Sequence, residues 1–175
     1  NFRMGEIEAA IASVQLTKLA GRIASRQAAA ERLTAGLRQL PGLKTPVIAP
    51  GATHVYYVYG LTMDPAVVGV SRKAITAALK AEGVPGLVIG YQNLHRLPLF
   101  RHRIAYGTGG FPWTSPYASR SVTYDQGLCP IAETLHDSTF FGLNLCMFEY
   151  AAPDVDRVLA AFHKVWAGRD QLAQA

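Results

Sequence analysis

Apolar residues recur every three or four positions from the start of the chain. Met4, Ile7, Ile11 and Val14 come first, then Leu19 and Ile23, then Leu33, Leu37 and Leu40. That spacing draws one buried stripe along a helix. Alanine is abundant in the same stretch and favours helix intrinsically. Gly21 and Gly36 weaken it slightly, and Pro41-Gly42 ends it. The pattern predicts a helix over residues 4–39. At 1.5 Å per residue it would run roughly 54 Å, more than the width of a small domain. Such a helix is expected to bridge two bodies or to lie across a partner chain.

After the helix the period changes. Residues 41–53 are rich in Pro and Gly and read as a loop. The β-branched and aromatic run HVYYVYGL (54–61) predicts a strand. SRKAITAALKAEG (71–83) predicts a helix with Ser71 as its N-cap and Gly83 as its stop. GLVIGY (86–91) predicts a short strand. Residues 93–125 hold Pro, Gly and aromatics without a period, which predicts a long irregular loop ordered by its aromatics. PIAETLHD (130–137) predicts a short helix that opens on Pro130. FFGLNLCMFEY (140–150) is apolar on both faces and predicts a buried strand. A last helix over 154–167 would bury Val155, Val158, Leu159, Phe162 and Val165. The expected fold class is α+β: a sheet of about three strands with helices on one face, preceded by a long connecting helix. The expected division is 1–40 for the connecting helix and 41–175 for a small α+β domain.

Composition narrows the possible functions. The 175 residues are 50% hydrophobic and 17% charged, enough apolar material for a folded chain. The formal net charge of +5 suits anionic small molecules. Lys and Arg are scattered and do not interleave with aromatics, which argues against nucleic acid. No stretch approaches the roughly 18 to 20 apolar residues of a membrane helix. Cys129 and Cys146 are far apart, with no His at ligand spacing, so no metal site is expected and a reducing, cytoplasmic setting is.

Several stretches could carry chemistry. GTGG (107–110) is followed by Phe-Pro-Trp, which opens no helix, so it reads as a turn and not as a phosphate cradle. No G-x-S-x-G elbow is present, and the five histidines fall in five separate segments. YQNLHRLPLF (91–100) places His95 beside Arg96 where a strand ends. A His there either bonds a phosphate or a sugar hydroxyl, or caps a local turn, and spacing alone leaves both open. Asn1 and Arg3 stand just ahead of the first helix. Amide, guanidinium and helix end together could hold a phosphate, while Asn as a simple N-cap is the commoner arrangement.

NFRMGEIEAAIASVQLTKL, HVYYVY, YQNLHRLPLF and CPIAETL resemble, in this order, landmarks of the DegT/StrS-type sugar aminotransferases. The resemblance runs from Asn1 to about Trp166. It implies the small C-terminal domain of the aspartate aminotransferase fold, a pyridoxal-phosphate (fold type I) architecture. The implied enzyme is a homodimer with active sites at the subunit interface. It moves an amino group from glutamate or glutamine to a keto sugar nucleotide or a keto cyclitol. By the same resemblance, Asn1 and Arg3 bind the cofactor phosphate from across the interface, and Tyr91 and His95 line the substrate pocket. The family's proline-rich Tyr-x-Pro-Leu-His reads Tyr91-Gln92-Asn93-Leu94-His95 here, which leaves the substrate class open.

One part of the family's equipment has no match. The five lysines, Lys18, Lys44, Lys73, Lys80 and Lys164, do not sit in the family's Schiff-base setting. A transaminase needs that lysine. The chain also opens on Asn without an initiator Met. The expectation is a C-terminal portion severed at its connecting helix, without catalytic residues of its own and inactive alone. Two alternatives stand beside it: a non-catalytic binding or dimerisation module, and a dehydratase on the same scaffold in which His replaces the lysine.

Overall fold

The computed structural model describes residues 3–173. Helix α1, Glu6–Leu37, follows the predicted stripe closely. Its burial does not. Ala29, Ala30, Leu33 and Leu37 are buried, whereas Met4, Ile7, Ile11, Val14, Leu16 and Leu19 are exposed. Within this chain the stripe meets a core only over its last third.

Four strands form one antiparallel sheet in the order β1-β2-β4-β3: β1 Leu43–Lys44, β2 Tyr59–Met63, β3 Leu87–Val88 and β4 Phe140–Leu143. The expected three strands become four because Leu43 and Lys44 pair with Met63 and Thr62. Two residues are too few to show a period in the sequence.

The central strand is shifted from the predicted 54–61. Tyr56 takes φ 50°, and its N–H donates to His54 Nδ1 at 2.8 Å. A β-branched, aromatic run therefore opens as a turn, and pairing starts only at Tyr59. The run from Phe140 is likewise shorter than expected, because the chain leaves the sheet after Leu143. β3 is cut to two residues by Gly86 and Gly90, at φ 65° and 86°.

Three longer helices share the core with the sheet: α1, α3 (Arg72–Ala81) and α6 (Ala152–Ala167). Ser71 caps α3 as predicted, its Oγ accepting from the Ala74 N–H at 3.2 Å, and Gly83 follows with φ 82°. Asp154 holds the Ala151 N–H at 2.9 Å at the start of α6. Tyr59, Leu61 and Met63 alternate inward along β2 and meet Phe141 and Leu143 of β4. Phe141, Phe162 and Trp166 stack in sequence, with centroids 6.4 and 6.0 Å apart. Short helices α2 (Pro65–Val68), α4 (Pro98–Arg101), α5 (Pro130–Thr134) and α7 (Arg169–Leu172) complete the set. α5 continues as a wider π-type turn over Leu135–Thr139, a form frequent at functional sites.

Candidate functional site

The irregular stretch after β3 has two anchors. The first is aromatic. Phe100, Trp113 and Tyr124 pack with centroids 5.4 to 6.2 Å apart, and Trp113 Nε1–H donates to the Tyr124 hydroxyl at 2.8 Å. The expectation of a loop ordered by its aromatics is met.

The second anchor is polar and joins the segment around His95 to α5 and the π-type turn. His95 Nε2 lies 2.8 Å from Glu133 Oε1, and both side chains are buried. Glu133 also accepts the Gly127 N–H on both oxygens at 2.9 Å and the Cys129 N–H at 3.2 Å. The Gly127 N–H is the chief reason that its pKa lies below the usual carboxylate value. Burial opposes this, and Cys129 and His95 add to it. One residue on, Arg96 pairs with Asp137 at 2.6 Å. Arg72, reaching from α3, donates to the carbonyls of His136 and Phe140 at 2.8 Å and of Asp137 at 3.2 Å. Together these contacts fix the turn carrying His95 against the start of β4.

Each residue singled out from the sequence has a definite place. Asn1 lies outside the described residues. Arg3 is exposed ahead of α1 and makes no hydrogen bond or ion pair among the described residues. Tyr91 is 84% exposed, close to Tyr57. The neighbouring Tyr91 hydroxyl is the main cause that raises the Tyr57 phenol above its ordinary pKa. His95 does not share that surface, since it is 8% exposed and turned to Glu133. It does not cap its own turn either, because its partner lies 38 residues away. Glu133 itself carried one faint sign in the sequence, its place in the motif CPIAETL. Tyr57 carried the same kind of sign, its place in HVYYVY, and Arg72 carried none.

A separate cleft of about 470 Å³ opens between α1 and the segment after β4. Lys18, Arg22, Ser25 and Arg26 line one wall, and Cys146, Phe148 and Glu149 line the other. Neither Tyr91 nor His95 reaches it. Among the described residues no group of three or more His, Cys, Asp and Glu side chains is placed to hold a metal ion.

The chain is a small antiparallel α+β domain at the end of a long helix, with His95, in the stretch after β3, buried against Glu133 of α5. The sequence model of the DegT/DnrJ/EryC1/StrS aminotransferase family matches residues 1–137, and the chain belongs to that family. It is 26% identical over 169 residues to the spore coat polysaccharide biosynthesis protein SpsC of Bacillus subtilis (strain 168), covering 97% of this chain and 38% of that protein. It is 42% identical over 62 residues to the dTDP-3-amino-3,4,6-trideoxy-alpha-D-glucose transaminase of Micromonospora megalomicea subsp. nigra, covering 34% of this chain and 17% of that one. It is 31% identical over 108 residues to the dTDP-4-dehydro-2,6-dideoxy-D-glucose 3-dehydratase of Saccharopolyspora spinosa, covering 60% and 23%. The X-ray structure of S. venezuelae DesV in complex with a ketimine intermediate shares the fold, with a TM-score of 0.69 at 22% identity over 94% of this chain and 37% of that one. The chain thus spans well under half the length of these proteins.

The cofactor this family implies is pyridoxal phosphate, which needs a lysine and an anion cradle. All five lysines are exposed, and Lys164 is paired with Glu82 at 2.7 Å. The start of α1, beside Arg3, is faced by Glu6 and Glu8, and the Glu8 carboxylate folds back over Gly5. The described residues do not by themselves fit the cofactor.

Proposed function

We propose that this chain is the C-terminal portion of a pyridoxal-phosphate aminotransferase acting on a keto sugar nucleotide or a keto cyclitol, with glutamate or glutamine as amino donor. The observation that carries the reading is the family match over residues 1–137. The transaminase and polysaccharide-biosynthesis relatives support the sugar class. When bound, the cofactor supplies the electron sink that lets an amino group leave one carbon and join another. It is held mainly by a larger domain that also supplies the lysine. Asn1 and Arg3 contribute to its phosphate from the partner subunit of a homodimer. Tyr91 and His95 serve the substrate.

The exposed apolar stripe of Met4, Ile7, Ile11 and Val14 supports the connecting role of α1. The free thiols of Cys129 and Cys146 are consistent with a cytoplasmic setting. No described helix is long and apolar enough to cross a membrane. The dehydratase relative favours one second reading, the same scaffold with His in place of the lysine.

Amino transfer from glutamate or glutamine, assayed with the 175-residue chain and with the polypeptide that carries it joined to a lysine-bearing domain, tests the reading. Activity is expected only in the joined form and is abolished when the lysine is replaced. Transfer by the 175-residue chain alone overturns it. Loss of a hydroxyl from the sugar without amino transfer selects the dehydratase.

A further inference from the structure

Three cations recur on one face of α1. Lys18, Arg22 and Arg26 fall four residues apart, so they leave successive turns of the helix about 6 Å from one another. No acidic residue lies between Glu8 and Glu31 to offset them. Like charges four apart on a helix weaken it. Farther along, Arg32 is held by both oxygens of Asp156 at 2.8 Å. Lys18, Arg22 and Arg26 have no hydrogen-bond or ion-pair partner among the described residues. Arg26 is half-buried as well, and a guanidinium taken partly out of water calls for a counter-charge.

These side chains do not simply face bulk water. They form one wall of the cleft of about 470 Å³, across from Cys146, Phe148 and Glu149. That volume falls within the range of small-molecule sites, about 300–1,000 Å³. Ser25 adds a hydroxyl to the same wall. The Ser13, Thr17 and Thr34 hydroxyls of α1 donate back to carbonyls of the helix, whereas Ser25 makes no such bond among the described residues. Glu149 is the one carboxylate of the lining, set against three cations.

We propose that this cleft binds a small polyanion, a molecule with two or more phosphate or carboxylate groups, along the row Lys18, Arg22 and Arg26. A guanidinium fork pairs with two oxygens of either group. A single charge matches one cation and leaves the others unmatched, whereas two or three charges span the row. Ser25 donates a further hydrogen bond. The bound anion also relieves the repulsion along α1. The site is independent of the aminotransferase reading, which stands whether or not the cleft binds.

Isothermal titration calorimetry of the 175-residue chain with inorganic pyrophosphate and with citrate, against acetate at matched ionic strength, tests the site. Saturable binding of at least one polyanion is expected, and none of acetate. Pyrophosphate alone identifies a phosphate ligand, and citrate alone a carboxylate. Binding of neither, or equal binding of acetate, overturns the proposal. Arg22→Gln and Arg26→Gln, checked as folded by circular dichroism, are each expected to weaken binding about 10-fold, the loss of one charge-assisted hydrogen bond. Arg22 is exposed, so its variant reads the site even where Arg26→Gln fails to fold. Glu149→Gln is expected to tighten binding about threefold by removing a like charge. Arg38→Gln, exposed and outside the cleft, is expected to change nothing. A loss there equal to that in Arg22→Gln shows diffuse attraction and overturns the site. Cys146 gives a second readout. In Cys129→Ser, alkylation of Cys146 by iodoacetamide, followed by mass spectrometry, should slow under saturating polyanion and not under acetate. An unchanged rate puts the anion elsewhere and overturns the assignment. The same protection is expected in the longer polypeptide that carries this chain. Protection confined to the 175-residue chain overturns the ligand site and makes the cleft a docking surface for the rest of that polypeptide.

Discussion

The indole Nε1–H of Trp166 donates to the carbonyl of Pro41 at 3.0 Å, tying α6 to the turn that ends α1. The same ring stacks on Phe162, which stacks on Phe141 of the sheet, so one side chain joins both long helices to β4. Trp166→Phe keeps most of the stacking and loses the hydrogen bond, with an expected cost of about 1 kcal/mol. Trp166→Ala empties the site at an expected cost of about 3–5 kcal/mol. Urea denaturation of the two variants checks the gap between them.

Two glycines of α1 should respond to alanine with opposite signs. A Cβ at Gly36 would lie 2.5 Å from Leu159 Cδ2 of α6, closer than packing allows. Gly36→Ala is expected to destabilise by about 1–3 kcal/mol through overpacking. A Cβ at Gly21 meets nothing within 4 Å. Gly21→Ala is expected to stabilise by up to about 1 kcal/mol through helix propensity. Equal thermal shifts in the two variants would contradict the packing of α1 on α6.

Arg72 holds three carbonyls at the end of the π-type turn, at 2.8, 2.8 and 3.2 Å. Burial lowers its pKa while Asp137 opposes that shift, and the guanidinium remains charged. Arg72→Met should destabilise the chain by about 1–3 kcal/mol. Lysine should recover little of this, because one ammonium lacks the planar fork that spans three acceptors. Hydrogen exchange over residues 134–141 is the local readout.

The pH dependence has two arms. The Glu133 pKa is lowered in the folded chain, so its contribution is present above the ordinary carboxylate value of 4.5 and is lost as pH falls through the folded value. Wild type should therefore lose stability relative to Glu133→Gln on acidification below about 4.5. The Tyr59 phenol is pushed up to about 12, chiefly by burial. Its contribution is present below its unfolded value of 10.0 and is lost as pH rises toward 12. Thr34 spends its single proton on the Ala30 carbonyl at 2.8 Å, so the Tyr59 hydroxyl donates to Thr34 at 2.7 Å and cannot do so once ionised. Tyr59→Phe should flatten the alkaline arm in stability titrations from neutral to strongly basic pH.

The elements with a long period were legible in the sequence. Glu6–Leu37 and Ala152–Ala167 match the expected helices within a few residues, and Ser71 caps where expected. Short pairings were not. Leu43–Lys44 becomes a strand only because Met63 and Thr62 are there to pair with it. The run at 54–61 has strand composition, yet the φ of Tyr56 and the His54 contact turn it aside. The candidate site was half legible. His95 stands out by its place beside Arg96, but Glu133 lies 38 residues away with no shared spacing to announce it.

By itself, the sequence determined the periodic helices, the caps, the apolar stripe of α1 and the family resemblance, because each is written in spacings of a few residues along one segment. Only the tertiary structure decided the register of the sheet, the burial of α1 over its last third and the pairing of His95 with Glu133. Those depend on residues far apart in the chain arriving at the same place. Whether a stripe is buried, or a histidine side chain finds a partner, is settled by the neighbour it meets and not by the residue itself.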